Sequence, residues 1–318
     1  MPAPRVLFVK LSSLGDVVHH LPAATDLRAH QPEAVIDWAV EAPYAPLVAL
    51  HPAVRRAIPI PLRALRGAPL DRDKWQAFGD ARRALREEPY DVVVDAQGLL
   101  KSAFVARMAR SREIAGGDSE SAREAAAALF YGKRIAVPRE MHAVERNRAL
   151  VAAVFGYAVD GPPRYGLVAP QGRPGWLRDS RYAVLLHAAS RESKRWPEAQ
   201  WTALGRRLAE DGITAVFPGG TVEEREVAAR LAATVPGALA APGMSLVEAA
   251  QLIGHAERVA GVDTGLTHLA VALGRPTVGI YLATRPALTG LHGPGAVNLG
   301  GPGGAPAADA VARAMGLA

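Results

Sequence analysis

A polar strand-to-helix junction lies within the segment 259–270 and could bind an anion. An apolar run ends there at Asp263 and Gly265, and a helical pattern follows at once. The first N–H groups of a helix lack backbone partners and lie at the positive end of its dipole, so they suit phosphate or pyrophosphate. We therefore predict an anion site beside Asp263, Thr264 and His268. The alternative is a plain helix cap with an ordinary, hydrogen-bonded histidine.

A second polar junction follows the buried-strand pattern of residues 5–10. The small-residue turn 11–15 leads to Asp16, where a helical pattern begins. A carboxylate at this place could take a proton from a substrate hydroxyl as a general base. Alternatively Asp16 only caps the helix, and the dipole would then stabilise its charge and weaken it as a base. Spacing alone favours the cap.

Two other polar segments belong to the second half of the chain. The loop 187–197 holds Ser190, Lys194 and two arginines ahead of a helical pattern, which suits negative charge, although it could also be a solvated basic loop. Glu224 follows a strand pattern and could accept hydrogen bonds from both hydroxyls of a ribose. Thr221 and Glu224 also have the spacing of a capping box, so both interpretations stay open.

The sequence lacks the motifs of several common cofactor sites. No G-x-G-x-x-G follows a strand pattern and no Walker loop occurs, which argues against NAD enzymes and P-loop NTPases. The absence of cysteine excludes disulfides, thiolate zinc sites and cysteine nucleophiles. Asp71 and Asp73 match the carboxylate pair with which many sugar transferases bind metal, but the pattern is short and lies in a surface-like basic segment. We expect no metal and no resident cofactor.

Strand and helix patterns alternate along both halves, which predicts parallel sheets wrapped by helices. Segments dense in proline and glycine at 160–166 and 171–175 are typical of a connection between domains. The strand patterns span 5–10, 35–40, 57–60, 91–95, 182–186, 214–217, 256–262 and 277–281. Longer predictions are a helix over 16–28 that includes Pro22, a helix over 119–130 and a surface connection over 289–306.

Length and composition fit a two-domain globular protein. The chain has 318 residues, of which 49% are hydrophobic and 21% charged. No run approaches the ~20 apolar residues of a membrane span, and the first ten residues lack the layout of a secretory signal, so we expect a soluble, cytoplasmic protein. A net charge of +6 permits an anionic partner without requiring nucleic acid.

Four motifs together resemble one family, the bacterial lipopolysaccharide heptosyltransferases. They are residues 8–16, 95–102, 190–197 and 263–268, and the similarity runs through nearly the whole chain in the same order. The resemblance implies an α/β GT-B fold, with two Rossmann-like domains whose parallel sheets face each other across a cleft. It implies an acceptor-binding domain over 1–165 and an ADP-heptose-binding domain over 175–302. It also implies that a helix within 303–318 packs back on the first domain.

The implied activity is inverting transfer of L-glycero-D-manno-heptose from ADP-heptose to the first Kdo of Kdo2-lipid A, in lipopolysaccharide inner-core biosynthesis. By resemblance, Asp16 is the catalytic base, and Lys194 assists the departure of ADP without a metal. The residues implied in donor binding are Ser190, Lys194, Glu224, Met244, Asp263, Thr264, Gly265 and His268.

The acceptor implied by the resemblance is a lipid that carries carboxylates and phosphates. Basic residues of the first domain would meet it, although surface solubility explains each of them equally well. The same positive charge would hold the enzyme peripherally on the cytoplasmic face of the inner membrane. The residues implied in acceptor binding are Ser13, Arg63, Arg66, Lys101, Arg123 and Arg146.

Three other functions fit parts of the pattern. A sibling enzyme that adds the second heptose would share the fold and the donor but use a different acceptor. A non-catalytic nucleotide-sugar-binding protein would bind the donor without releasing ADP. An epimerase of the related two-domain kind would alter the nucleotide sugar without an acceptor.

Overall fold

The computed structural model describes residues 3–67, 70–177 and 181–317. The chain forms two compact units, of which the first ends at Leu167 and the second begins at Val168. This division falls within the segment 166–174 that the sequence analysis leaves between its two domains. No helix of the described ranges is long and apolar enough to cross a bilayer.

Six parallel strands form the sheet of the first unit, in the order β3-β2-β1-β4-β5-β6. The central strand β1 is buried on both faces, which explains its continuous apolar run. The strand order reverses between β1 and β4, and sheets of this kind bind ligands beyond the carboxyl ends of their strands at such a reversal. The strands are β1 (Arg5–Val9), β2 (Val35–Glu41), β3 (Val54–Ile60), β4 (Tyr90–Asp95), β5 (Ser111–Gly117) and β6 (Lys133–Ile135).

Helices of the first unit connect these strands, and two helix predictions need correction. The helix predicted over 16–28 is divided into α1 and α2, because Pro22 cannot donate a backbone hydrogen bond and sits in the first turn of α2. The segment 119–130 is helical only at Ala125–Phe130, as a 3-10 helix, because the Asp118 carboxylate accepts two local N–H groups and holds a turn. The helices are α1 (Leu14–Val18), α2 (Leu21–His30), α3 (Ala45–Val48), α4 (Leu62–Gly67), α5 (Arg72–Glu87), α6 (Leu100–Met108) and α7 (Ala143–Phe155).

The second unit repeats the same strand order, written β12-β11-β10-β7-β8-β9, again with parallel neighbours. Its order reverses between β7 and β10. The surface connection predicted over 289–306 is wrong in part, because Ala296–Gly300 pairs with β11 as an edge strand. The strands are β7 (Tyr182–Leu186), β8 (Thr214–Phe217), β9 (Leu239–Ala240), β10 (Arg258–Val262), β11 (Thr277–Tyr281) and β12 (Ala296–Gly300).

The terminal helix, which the resemblance implies to pack back on the first domain, lies in the core of the second unit. Its apolar residues Val311 and Met315 join the core formed by α8 and the second sheet. The indole of Trp196 donates to the carbonyl of Pro306 at 2.9 Å and fixes the segment before the helix. The helices here are α8 (Glu198–Glu210), α9 (Val222–Thr234), α10 (Leu246–Gly254), α11 (Gly265–Ala272), α12 (Pro286–Thr289) and α13 (Ala308–Ala314).

A buried ion pair ties α2 to α7 in the first unit. Arg148 is 1% exposed, and its Nε donates to Asp26 Oδ2 at 2.7 Å. The guanidinium also donates to the carbonyls of Asp160 and Gly161. Removing one member of such a pair leaves the other charge buried and unpaired.

We expect Arg148→Met to destabilise the first unit by about 3–5 kcal/mol, because Asp26 would stay buried without its partner. The melting temperature should fall by about 2–4 °C for each kcal/mol, as measured by calorimetry. The exposed pair Arg83 and Asp80 gives a control, since Arg83→Ala should cost less than about 1 kcal/mol. Equal losses in both variants would contradict the structural role of Arg148.

Candidate active site

Asp16 lies in the first turn of α1, directly beyond the carboxyl end of β1. Its Oδ2 accepts hydrogen bonds from the backbone N–H of Ser13 at 3.0 Å, the Ser13 hydroxyl at 3.4 Å and Arg123 Nη1 at 3.3 Å. The cap interpretation is thus correct for one oxygen, because Ser13 is the N-cap. The other oxygen, Oδ1, has no hydrogen bond within the described ranges and can accept a substrate proton.

The surroundings keep Asp16 ionised. Burial acts to raise its pKa, but the charges of Lys10 and Arg123 and the Ser13 N–H outweigh burial and bring the pKa below its ordinary value. Burial lowers the pKa of Lys10 to about 8, against the opposing effect of Asp16. Lys10 is therefore mostly protonated at neutral pH, where it faces an ionised aspartate. The Asp16 carboxylate is in the charge state that a general base needs.

Lys10 and Asn147 belong to this site, although the sequence analysis does not name them. Lys10 Nζ donates to the carbonyl of Ala96 at 2.6 Å and lies 3.4 Å from Asn147 Oδ1. The Asn147 amide donates to the carbonyls of His19 and Ala143, so α7 is fixed to the end of α1. For Lys10, the feature of the sequence that could have indicated this role is its place directly after the apolar run 6–9.

Basic residues predicted for acceptor binding lie at the same edge of the sheet. Lys101 Nζ donates to Ser12 Oγ at 3.3 Å, and Arg123 is more than half exposed. Burial, with the nearby charge of Arg123, lowers the pKa of Arg146. Arg63 is exposed, and its backbone N–H lies 3.4 Å from Glu41 Oε2. The side chain of Arg66 lies outside the described residues.

We expect Arg123→Gln to move the acid limb of the pH–rate profile to higher pH. The arginine lowers the pKa of Asp16, so its removal raises that pKa, and the carboxylate becomes protonated and inactive at a less acidic pH. Because Arg123 is more than half exposed, solvent screens the pair to ~1 kcal/mol or less, and turnover at neutral pH should change less than about tenfold through this effect. Profiles of kcat from pH 4 to 9 test this, and an unmoved acid limb would contradict it.

The second unit places Lys194 against Asp263. Asp263 follows β10 and Lys194 lies in the loop after β7, and these two strands flank the reversal of strand order. Lys194 Nζ lies 2.6 Å from Asp263 Oδ2, which also accepts from Thr284 Oγ1 at 2.7 Å. His268 Nε2 lies 3.6 Å from Oδ1. The structure thus brings three predicted residues together, and Thr284 joins them without a signal in the sequence.

Asp263 is held as a carboxylate. Burial acts to raise its pKa, but hydrogen bonds from His268, Lys194 and Thr284 outweigh burial and hold the pKa far below its ordinary value. Thr264 is the N-cap of α11, and Gly265 is its first residue. The Thr264 side chain makes no capping hydrogen bond, so the first N–H groups of the helix can bind an anion.

A cavity of about 420 Å³ lies at the carboxyl ends of β7 and β8. Ser190, Trp196 and Glu224 line it, and its volume is in the range of small-ligand sites. Glu224 Oε2 accepts from the N–H groups of Gly220 and Thr221, so the capping interpretation is correct, while the residue also borders the cavity. Met244 is half-buried before α10 and does not line this cavity.

No group of three or more His, Cys, Asp or Glu side chains in residues 3–67, 70–177 and 181–317 is arranged to bind a metal ion. Asp71, one of the pair considered in the sequence analysis, is instead the N-cap of α5. Its Oδ1 accepts the backbone N–H of Asp73 at 3.0 Å. The Asp71 carboxylate therefore has a local capping role.

Known proteins are similar to this chain over most of its length. The model of glycosyltransferase family 9 (heptosyltransferase) matches residues 79–312. The chain is 42% identical to lipopolysaccharide heptosyltransferase 1 of Pseudomonas aeruginosa over 93% of this chain and 83% of that protein. It is 28% identical to lipopolysaccharide heptosyltransferase 2 of Escherichia coli K12, over 90% of this chain and 84% of that one.

Solved structures of one relative are also similar. E. coli heptosyltransferase WaaC with ADP superposes with a TM-score of 0.90, and the same enzyme with ADP-2-deoxy-2-fluoro heptose with 0.86. Each is 38% identical and covers 97% of this chain and 98% of that one. Two parallel, Rossmann-like sheets in a chain this similar to a solved heptosyltransferase define a glycosyltransferase of the GT-B class. The chain belongs to glycosyltransferase family 9, the heptosyltransferases.

Proposed function

We propose that this enzyme is the heptosyltransferase that adds the first heptose of the lipopolysaccharide inner core. It transfers L-glycero-D-manno-heptose from ADP-heptose to the first Kdo of Kdo2-lipid A, with inversion at the anomeric carbon. The observation that carries this proposal is the 42% identity to lipopolysaccharide heptosyltransferase 1, against 28% to lipopolysaccharide heptosyltransferase 2. The second-heptose alternative is less well supported for the same reason.

The donor occupies the second unit in this proposal. The adenosine fits the cavity bordered by Ser190 and Glu224, where the carboxylate can accept hydrogen bonds from the ribose hydroxyls. The diphosphate meets Lys194 and the first N–H groups of α11, beginning at Gly265. Complexes of WaaC with ADP and with a fluorinated ADP-heptose support this choice of donor.

In the proposed reaction, Asp16 Oδ1 takes the proton of a Kdo hydroxyl as its oxygen attacks the anomeric carbon of heptose. A new glycosidic C–O bond forms on one face of the sugar while the C–O bond to ADP breaks on the other, so the configuration inverts. ADP leaves with the bonding electron pair, and Lys194 with the α11 N–H groups stabilises the added negative charge. With those groups in place, the reaction needs no metal.

The acceptor contributes negative charge to the first unit. Lys101, Arg123 and Arg146 surround the approach to Asp16 with positive charge, which suits the carboxylates of Kdo and the phosphates of lipid A. Because the acceptor is a membrane lipid, we place the enzyme peripherally on the cytoplasmic face of the inner membrane. Attraction to anionic lipids contributes ~1 kcal/mol per nearby basic residue.

Mass spectrometry of the acceptor tests this function directly. Incubating purified enzyme with ADP-heptose and Kdo2-lipid A should add one heptose residue and release ADP, without added metal and in the presence of a chelator. The already heptosylated core should be a poor acceptor. Preferred transfer to that core would identify a second-heptose enzyme, donor binding without ADP release would identify a non-catalytic protein, and an altered nucleotide sugar without acceptor would identify an epimerase.

A further inference from the structure

A buried glutamine links β4 to the loop that carries Asp16. Gln97 is 2% exposed and lies just beyond the carboxyl end of β4. Its Oε1 accepts the backbone N–H groups of Leu11 at 3.0 Å and Ser12 at 3.2 Å. Both partners are donors, so the amide oxygen must face them. These are the two residues directly before Ser13, whose N–H holds the carboxylate of Asp16.

The segment with Gln97 is itself held rigidly by Asp95. We call residues 95–98 the β4 turn. The Asp95 carboxylate is 1% exposed and accepts four hydrogen bonds. Two come from the N–H groups of Gln97 and Gly98 inside the turn, and two from the hydroxyls of Ser102 and Tyr131. A buried carboxylate with this many donors fixes the conformation of the turn.

The same turn holds the arginine that contacts Asp16. The carbonyl of Gly98 accepts the backbone N–H of Glu124, the neighbour of Arg123, at 2.9 Å. Gly98 has a φ of +68°, and a Cβ on it would lie 3.1 Å from the backbone N of Arg123. Only glycine permits this approach without displacing the segment. The β4 turn therefore contacts both the loop before Asp16 and the backbone that carries its guanidinium partner.

We propose that Gln97 is a positioning residue for catalysis, and that the β4 turn sets the place of the Asp16 carboxylate relative to Arg123 and the attacking hydroxyl. The inference rests on the proposed role of Asp16 as the base. Gln97 acts through the backbone of Leu11 and Ser12 and does not touch the reacting atoms. Without its oxygen, two buried N–H groups lose their acceptor and the loop must shift to satisfy them. Displacement of a catalytic group by ~1 Å can cost about 10²-fold in rate.

Three variants at this position test the proposal. Gln97→Leu removes the acceptor, Gln97→Asn shortens the side chain by one methylene, and Gln97→Glu restores an acceptor oxygen at the same reach. We expect Gln97→Leu and Gln97→Asn to lower kcat by about 10- to 100-fold, with the KM for ADP-heptose within about twofold, because the proposed donor residues lie in the other unit. Gln97→Glu supplies the acceptor together with a buried negative charge, so it should recover only part of kcat and move the acid limb further to higher pH. Exposed Gln76 in α5 gives the matched control, since Gln76→Leu should match the wild type.

The pH–rate profile separates positioning from a general loss of structure. If the Ser13 and Arg123 hydrogen bonds to Asp16 weaken, its pKa rises and the acid limb of kcat moves to higher pH in Gln97→Leu and Gln97→Asn. Wild-type kcat with an unmoved acid limb in either variant would overturn the proposal. If Gln97→Leu fails to fold, kcat and the acid limb of the milder variant Gln97→Asn decide the proposal.

Asp16→Asn in the same assay separates the positioning role of Gln97 from the proposed role of Asp16 as the base. An inactive Asp16→Asn beside a fully active Gln97→Leu overturns only the role of Gln97. An active Asp16→Asn overturns the proposed base itself, whatever the glutamine variants do. Inactivity of the wild type with Kdo2-lipid A and ADP-heptose would overturn the proposed function at its start.

Discussion

Asp16→Asn should lower kcat by about 10²–10⁴-fold, since the amide retains the shape of the side chain but cannot accept the proton of the attacking hydroxyl. The substitution puts an amide NH₂ group in place of Oδ1, the oxygen that carries no hydrogen bond in the described structure. The remaining side-chain oxygen can still accept the Ser13 N–H. Rates of ADP release with ADP-heptose and Kdo2-lipid A measure the loss. Affinity for ADP, measured by calorimetry, should stay within about twofold.

The control for Asp16→Asn is the same substitution at an exposed carboxylate. Asp80 lies on the surface of α5 and, among the residues that the structure describes, pairs only with the exposed Arg83, so Asp80→Asn should leave kcat unchanged. If Asp16→Asn keeps kcat within tenfold of the wild type, another group takes the proton. An unchanged kcat would leave Asp16 with the capping role that its spacing first suggested.

Lys194→Met should lower kcat by ~10²-fold or more, because it removes a cation that stabilises the charge appearing on ADP. It also leaves the Asp263 carboxylate without the partner 2.6 Å away, so an uncompensated negative charge would stand beside the diphosphate. Both effects act on the leaving group, so ADP affinity should fall as well. Kinetics of ADP release and calorimetric binding of ADP provide the two measurements.

Arg191 provides a control that separates a specific role of Lys194 from the overall positive charge of the loop. Arg191 is exposed in the same loop and makes no ion pair within the described ranges, so Arg191→Met should reduce kcat much less than Lys194→Met. Equal losses in the two variants would show that the loop acts as a diffuse positive surface. Lys194→Arg retains the charge with a different shape, and partial recovery there would support a direct electrostatic role.

The sequence predicts the central strands well because they are buried on both faces and read as unbroken apolar runs. The short or exposed strands were missed. β5 has exposed Arg112 and Glu113 and ends in two glycines, and β9 has only two residues. β12 lies at the edge of its sheet within a glycine-rich segment. These segments become strands because they pair with neighbouring strands in the folded sheet, and local sequence patterns do not reveal such pairing.

The sequence predicted the reactive side chains that follow the strands. It did not predict the roles of the residues that hold them in place. Asp16, Lys194 and Asp263 stand in recognisable junctions or motifs. Gln97 is 86 residues from Leu11 along the chain, and Asn147 is 137 residues from Lys10. Contacts this distant in sequence exist only once the sheet has formed. The geometry of the site therefore depends on long-range contacts that no short motif reveals by itself.

Each unit has its own sheet, and the two sheets repeat one strand order. Asp16 belongs to the first, while Lys194 and Asp263 belong to the second. With the acceptor bound by the first lobe and the nucleotide by the second, as proposed, evolution can retune the saccharide that receives the sugar by changing one lobe, and the nucleotide that delivers it by changing the other. A chimaera joined near Leu167, with its amino-terminal lobe from a relative of different acceptor preference, should inherit that preference while retaining its nucleotide-sugar selectivity.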